Sequence, residues 1–553
     1  MPTQPLEIIP LGGLGEFGMN LMVYRHAGEC IVVDAGMMFP GEAHLGVDVV
    51  VPDLAFLEDC GTIHGIVLTH GHEDHIGAVP YVLARHDLPV LAPPHARGLV
   101  EARLAEHPAI EAPRLTTLPP DGTPVPLGPF VLETIRAAHS IPQSKMLVLR
   151  TPVGTVLHTA DFKIDDAPPG GESTDLERLA RLGHEGVLAL LSDSTNADQP
   201  GSSPSERVVG RALDTLLAAA RARVFVTCFA SNVERVAQLA RLAQRHGRRI
   251  ALVGSALRNQ AEVAERLGLL AFPPGVRVSP EEVMALPREQ ALVVATGSQG
   301  EPLSALARIA VGKHRFVHVD DGDLVVHSAR EIPGNEKSIG RMIDHLARRG
   351  AEVLTTKDAA VHASGHAARD DLRRVIELTR PRFLVPIHGE YRHLRAHARL
   401  GVECGLAVDS VRLVESGDVV ALGPAGLEVV DRVPVGQVFI DAALDEVDET
   451  LLEDRRRSAG QGVVVAVVAV DRGGDRARDQ AEIVSRGFVP DAAGEEGFRV
   501  DAERRVLAAL AEATPEERRD EAMLKARIHT ELKRFVRRRT QRKPLIIPVL
   551  VEL

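Results

Sequence analysis

The sequence contains no tryptophan, three tyrosines and 14 phenylalanines, so aromatics make up only 3% of its 553 residues. Any core must therefore be built from Val, Leu, Ile and Ala. Cysteine is scarce: Cys30, Cys60, Cys228 and Cys404 lie far apart, and none forms a C-x-x-C pair. That argues against a zinc finger or a disulfide framework, and it fits free thiols in a reducing, cytoplasmic setting. No run approaches the roughly eighteen apolar residues that a membrane span needs. The longest, Gly462 to Val470 and Pro544 to Val551, are strand-sized. The opening MPTQPLEIIP has neither a basic n-region nor a long apolar stretch, so no signal peptide is expected. Lysine is also rare, supplying eight of the 64 basic residues. A net charge of -12 argues against binding nucleic acid over the whole surface, yet leaves room for a locally basic channel.

What remains is ordinary for a folded chain of roughly three to four domain-sized units, with 45% apolar and 25% charged residues. The first 204 residues read as short strands punctuated by Gly and Pro, with a few helical stretches between them. From Ser205 to about Asp358 amphipathic helices alternate with buried strands, a pattern that predicts a parallel α/β domain. Residues 359–430 return to the first texture, which makes the middle domain an insertion into the first. Residues 431–455 are acidic and turn-poor and read as a linker. Residues 456–553 predict a small α/β domain with its own core. In its tail, Lys533 to Lys543 carry seven basic residues and no acidic one, which suits contact with RNA or an acidic partner surface, or simply a solvated helix face.

One segment dominates the chemistry. In GIVLTHGHEDHIGAVP, His70, His72, Asp74 and His75 form H-x-H-x-D-H on the turn after an apolar strand. Four such side chains on one tight turn can converge on a metal, and imidazole with carboxylate admits Zn²⁺ or Mn²⁺. More distant partners stand at the ends of other apolar runs: His139 closes FVLETIRAAHS, Asp161 closes VLHTAD, and His388 follows FLVPI. Strand ends are where α/β active sites gather.

This order of ligand-type residues resembles the metallo-β-lactamase superfamily. The motifs SDSTN (192–196), FASN (229–232), TGSQGEP (296–302), PGNE (333–336), HASGH (362–366) and PIHGE (386–390) resemble the β-CASP nucleases, and within them bacterial ribonuclease J. The resemblance covers essentially the whole chain. It implies an α/β fold: a metallo-β-lactamase αββα sandwich with an inserted β-CASP domain and a small C-terminal α/β domain. It also implies two divalent metal ions per subunit, Zn²⁺ and/or Mn²⁺. His70, His72 and His139 would hold one, Asp74, His75 and His388 the other, and Asp161 would bridge them. The implied activity is hydrolysis of RNA phosphodiesters, 5′-to-3′ from a 5′-monophosphate and also internally, in RNA maturation and mRNA decay. Single-stranded RNA, RNA-decay proteins and a second copy of the chain are the implied partners.

Within that pattern Asp193 and His366 form an acid–histidine pair. His366 is read as the general acid for the leaving 3′-oxygen, or as a phosphate ligand only. His362, Ala363, Ser364 and Gly365 would hold an RNA phosphate. Ser231 and Asn232 are read as a second phosphate site or as a plain turn. Gly13, Gly15 and Gly18 spell G-x-G-x-x-G, but strands rather than a helix are expected next, which argues against a dinucleotide site. Three other readings stay open: a small-molecule hydrolase on the same fold, an RNA-binding scaffold with a dead metal site, and an enzyme that processes DNA.

Overall fold

The structure, a computed structural model, describes residues 4–41, 44–170, 173–301, 303–332, 334–441, 446–470, 480–487, 492–514, 521–540 and 544–552. Pro302 and Pro333 of the motifs above, and Gln541 to Lys543 of the basic tail, lie outside the described residues. Contacts divide the chain into two units. One comprises Met1–Met38 with Val51–Gln437, the other Phe39–Val50 with Val438–Leu553.

The larger unit is built on two sheets. The first has eight strands in the order Leu427–Arg432, Asp418–Leu422, Leu6–Gly12, Leu21–His26, Glu29–Val33, Thr62–Val67, Val90–Ala92, Leu115–Thr117. The second has six: Phe383–Ile387, Ala189–Asp193, Gly154–His158, Lys145–Thr151, Phe130–Arg136, Val125–Leu127. Their facing sides share one apolar core that includes Leu6, Ile8, Tyr24, Phe130, Leu147, Leu191 and Phe383. The outer side of the second sheet packs Met146, Val148, Leu157 and Leu190 against Leu179, Leu182, Leu372 and Val375 of helices Leu176–Glu185 and Arg369–Thr379. With apolar side chains required on both faces, the strands read as continuous apolar runs rather than alternating ones. The αββα layering expected above is present.

A five-stranded parallel sheet interrupts this sandwich, in the order Arg249–Val253, Ala291–Ala295, Val224–Thr227, Leu324–His327, Glu352–Leu354. Its helices follow the expected periodicity. In Glu206–Ala219, capped by the Ser205 side chain, Val209, Leu213 and Leu217 recur every four residues and are buried. The two sandwich strands that flank the insertion, Ala189–Asp193 and Phe383–Ile387, are parallel partners. The chain leaves Val224–Thr227 toward one edge of its sheet and returns to Leu324–His327 on the other side. That reversal creates a switch point, where parallel sheets open a crevice at their carboxyl ends.

The glycine-rich start forms no nucleotide loop. Leu6–Gly12 pairs antiparallel with Leu21–His26, and no helix follows the glycines. Residues 431–455, expected to be a linker, instead carry strands Gln437–Ile440 and Glu446–Val447 and the start of helix Glu449–Gln461. Gln437–Ile440 lies between Glu446–Val447 and Val49–Pro52, a partner almost 400 residues away that no local pattern announces. The smaller unit has a three-stranded sheet, Gln480–Arg486, Val463–Val470, Leu545–Glu552, with helices Ala492–Ala511 and Glu521–Thr540 packed on the face bearing Val464, Ala466 and Val468. The basic tail up to Thr540 lies on the second of these helices.

Candidate metal centre and active site

Strand Thr62–Val67 delivers the loop carrying His70, and the short helix Glu73–Ile76 carries Asp74 and His75, with His72 at its N-cap. His139, Asp161 and His388 each follow a strand of the second sheet, and Asp193 ends one. The fold gathers all of them. Ligand-type atoms of His70, His72, His139 and Asp161 lie within 4.8 Å of one another, and so do those of Asp74, His75, Asp161 and His388.

Asp161 is the hub. Its Oδ2 stands 3.4 Å from His75 Nε2 and His388 Nε2, and 3.7 Å from His70 Nε2 and His139 Nε2. Its Oδ1 is buried with no hydrogen-bond partner among the described residues. His72 Nδ1 lies 3.1 Å from His70 Nε2 and 3.0 Å from His139 Nε2. Imidazoles bound to one tetrahedral zinc ion have nitrogens about 3.3 Å apart, so this spacing fits a metal.

The outer partners of these imidazoles decide which nitrogen faces inward. His139 Nδ1 donates to Gly365 O at 2.6 Å. His75 Nδ1 donates to Asp34 Oδ2 at 2.7 Å. His388 Nδ1 donates to Asn20 Oδ1 at 2.9 Å, because Asn20 Nδ2 is committed to Asp74 O at 2.9 Å. His70 Nδ1 lies 3.0 Å from Thr69 Oγ1, whose own hydrogen goes to Asp34 Oδ2. With neutral rings, each arrangement turns Nε2 toward Asp161 as the nitrogen that carries the lone pair, the tautomer that metal binding requires. The backbone is forced to match. Asp34, Ala160 and His388 sit at φ 60°, 47° and 53°, a left-handed region that non-glycine residues occupy at a cost and that clusters at functional sites.

Electrostatics agree. Burial pulls the His70 and His139 imidazoles well below their ordinary range, and His72 to about 4, so each is neutral and able to bind a cation. Burial also works against protonation of His75, but Asp161, Asp74 and Asp34 together raise it well above 6.5. In the metal-free protein a proton on His75 thus balances these carboxylates, and a divalent ion would displace it. Gly13 is needed beside this shell: a Cβ there would meet Asn20 Oδ1 at 2.3 Å.

His366 stands next to the hub. Its Nδ1 lies 2.9 Å from Asp193 Oδ2 and 4.0 Å from Asp161 Oδ2. Burial lowers its pKa, but Asp193 and Asp161 more than offset that and hold it at about 9. Asp193 is itself fixed by Thr195, whose N and Oγ1 donate to Oδ1 at 2.9 and 2.8 Å. Ser364 Oγ accepts from His366 N and from Asn196 Nδ2. Gly365 admits no side chain, since a Cβ would meet Ser140 Oγ at 2.7 Å and His139 Cε1 at 2.8 Å. Ala363 is buried, and His362 is half-buried with its Nδ1 unpartnered among the described residues. Burial first, then Arg235, Lys163 and Arg330, bring His362 down to about 3.

Ser231 and Asn232 already have partners within the protein. Ser231 Oγ lies 3.1 Å from His72 Nε2, and Asn232 Oδ1 caps helix Val233–Arg245 by accepting from Arg235 N at 3.0 Å. Sequence reasoning missed Asn20, Asp34 and Thr69, and it named Asn196 only as the last residue of SDSTN, with no role of its own. Asn20 ends the glycine-rich stretch and Thr69 directly precedes His70, which were the available signals; Asp34 carried none.

Comparison with known proteins agrees with this geometry. The family description "Metallo-beta-lactamase superfamily" matches residues 14–191, and "Ribonuclease J, beta-CASP domain" matches 221–346. "Zn-dependent metallo-hydrolase RNA specificity domain" matches 353–411, and "Ribonuclease J C-terminal domain" matches 450–553. Ribonuclease J of Thermus thermophilus is 38% identical over 562 residues, covering 100% of this chain and 96% of that protein. Ribonuclease J2 of Bacillus subtilis is 34% identical over 553 residues, covering 100% and 99%. Ribonuclease J of Helicobacter pylori is 37% identical over 486 residues, covering 88% and 70%. A solved structure of a protein of unknown function from Enterococcus faecalis shares the fold, with a TM-score of 0.52 and 14% identity over 79% of this chain and 100% of that one. With its ligand-type residues gathered on a metallo-β-lactamase sandwich and its β-CASP insertion in place, the chain belongs to the ribonuclease J family of metal-dependent ribonucleases.

Proposed function

We propose that this ribonuclease uses two divalent ions, Zn²⁺ and/or Mn²⁺, to hydrolyse single-stranded RNA 5′-to-3′ from a 5′-monophosphate, and also internally. The observation that carries the reading is the Asp161 carboxylate, one oxygen of which faces four imidazole nitrogens while the other lacks a hydrogen-bond partner among the described residues. His70, His72 and His139 would hold one ion, Asp74, His75 and His388 the second, and Asp161 both. When bound, the ions acidify the attacking water and offset charge on the scissile phosphate.

The chain's own groups do the rest. His366, protonated at neutral pH with its Nδ1 committed to Asp193, has Nε2 free to give a proton to the leaving 3′-oxygen. The P–O3′ bond breaks as water adds to phosphorus, leaving a 3′-hydroxyl and a new 5′-phosphate. Asp193 keeps the ring oriented. The 362–366 loop, with Ser364 and a glycine where no side chain fits, supports close approach of an RNA phosphate.

In this reading residues 1–204 and 359–430 form the catalytic sandwich, 205–358 the substrate-clamping insertion, and 456–553 a dimerisation and RNA-contact domain. The outer face of the C-terminal sheet supports a homodimer: Ile547, Val549 and Val551 are 40%, 38% and 46% exposed on one apolar surface. A cytoplasmic role in RNA maturation and decay, with other decay proteins, completes the proposal.

The test is cleavage of a 5′-monophosphorylated, end-labelled RNA with Mn²⁺ or Zn²⁺, wild type beside His72→Ala, with matching DNA as control. Progressive release of 5′ mononucleotides from RNA, lost in the variant, is expected. Tight RNA binding without cleavage would instead favour a scaffold.

A further inference from the structure

Arg330 follows the strand Leu324–His327 at the switch point of the inserted sheet, and it is exposed. Its Nη1 donates to Asn196 Oδ1 at 2.9 Å. Asn196 Nδ2 in turn donates to Ser364 Oγ at 2.8 Å and to His366 O at 3.2 Å. The guanidinium is thus two hydrogen bonds from the proposed acid. Among the described residues it has no carboxylate partner, and a guanidinium has five N–H donors to place. Its backbone is held still: Gln299, 6% exposed, donates from Nε2 to Arg330 O and accepts Ile332 N on Oε1, both at 2.9 Å.

Neighbouring cations are buried, unlike Arg330. Arg235 is fully buried against Glu206 and donates to Val361 O. Lys163 is 2% exposed, with Asp165 and Glu206 at 3.7 and 3.9 Å. An arginine with no carboxylate partner among the described residues, two hydrogen bonds from His366, stands out in a chain of net charge -12. Arginine's planar fork suits phosphate oxygens.

We propose that Arg330 binds an RNA phosphate on the leaving-group side of the scissile bond. This rests on the ribonuclease reading above, with His366 serving the leaving oxygen. When the 5′-terminal nucleotide is released, that phosphate is the terminal monoester; in internal cleavage it is a diester.

The test compares wild type, Arg330→Gln and Arg330→Lys on two RNA oligonucleotides, one 5′-phosphorylated and one 5′-hydroxyl. Binding is followed by fluorescence anisotropy with phosphorothioate-linked versions that resist cleavage, and turnover by steady-state kinetics. Arg330→Gln is expected to raise Kd and KM about tenfold, with kcat within twofold. The slope of log Kd against log salt is expected to fall by about 0.7. Arg330→Lys restores part of the affinity. An effect confined to the 5′-phosphorylated RNA identifies the monoester; an equal effect on both identifies a diester. Unchanged Kd and salt slope on both RNAs would overturn the proposal, as would a fall in kcat alone, which marks a stitch to Asn196 and no more. Because binding is read without turnover, a wild type that binds RNA but fails to cleave it would sink the ribonuclease reading and still test Arg330.

Discussion

Asp34→Asn isolates the charge of an outer carboxylate from its shape. Asp34 is 2% exposed and accepts three hydrogen bonds: Thr69 N on Oδ1 at 2.8 Å, and Thr69 Oγ1 and His75 Nδ1 on Oδ2 at 2.9 and 2.7 Å. Its φ of 60° is one that asparagine tolerates better than most residues, so the backbone has no reason to move. The amide cannot serve all three donors. If its oxygen keeps Thr69 N, its NH₂ faces His75 Nδ1–H, and the ring relieves the clash by moving its proton to Nε2, the atom aimed at Asp161. If the amide turns over, the NH₂ faces Thr69 N–H instead. Either way His75 is lost as a well-set ligand or its support is strained. Outer-shell losses of this kind weaken metal affinity about 10- to 100-fold, or about 1.4–2.7 kcal/mol. Chelator competition on wild type and variant measures it directly, and thermal unfolding of both metal-free proteins checks that the fold survives. Metal affinity within twofold of wild type in a folded variant would refute the idea that Asp34 sets the His75 tautomer.

Other consequences follow from the same geometry. In the metal-free protein His366 titrates near 9 because Asp193 and Asp161 offset its burial. A pKa above the ordinary 6.5 means that its stabilising contribution is complete below about pH 6.5 and is lost as pH rises through about 9. Asp193→Asn is expected to move that titration toward neutral pH, as followed by NMR of selectively labelled histidine; an unmoved titration contradicts the pairing. Gly365→Ala drives a Cβ against Ser140 and His139, so activity at fixed metal is expected to fall at least about tenfold, the lower end of the loss expected when a ligand's support is disturbed. Asn232→Ala removes a helix cap, which is expected to cost about 1 kcal/mol of stability while leaving the preference for a 5′-monophosphate intact. A lost preference would return Asn232 to the phosphate.

The parts of this site that could be read from the sequence are those that chemistry packs closely along the chain. Three histidines and an aspartate within six positions after an apolar strand are hard to reconcile with anything but a metal-binding turn, and His139, Asp161 and His388 could be found because each ends an apolar run. What escaped depends on distance. Asp34 and Asn20 lie about 40 and 55 residues from His75, and nothing local marks a lone polar residue as the partner of an imidazole. The Asn232 cap was legible, since S-N-V-E before an apolar repeat is a helix start, yet the same residues also resemble an anion-binding turn. The acidic stretch 431–455 looked like a linker because its strands are short and one of them, Gln437–Ile440, pairs with Val49–Pro52. Strand pairing across so many residues leaves composition unaltered.

The insertion helps to build the centre as well as flank it. His72, from the sandwich, has its outer nitrogen at Ser231, which belongs to the inserted domain. His139 has its outer nitrogen at Gly365, on the segment where the chain returns from that domain. The returning segment is in turn pinned to the insertion, because Val361 O accepts from both Arg235 and Ser328. Two of the three imidazoles in the first ligand group therefore depend on the inserted sheet for their orientation, whereas His75 and His388 depend on Asp34 and Asn20 of the sandwich alone. Loosening the insertion should accordingly weaken the His70–His72–His139 group before the Asp74–His75–His388 group. Such asymmetry ties the orientation of the first ligand group to the inserted sheet, a dependence that a hydrolase without the insertion has no means to develop.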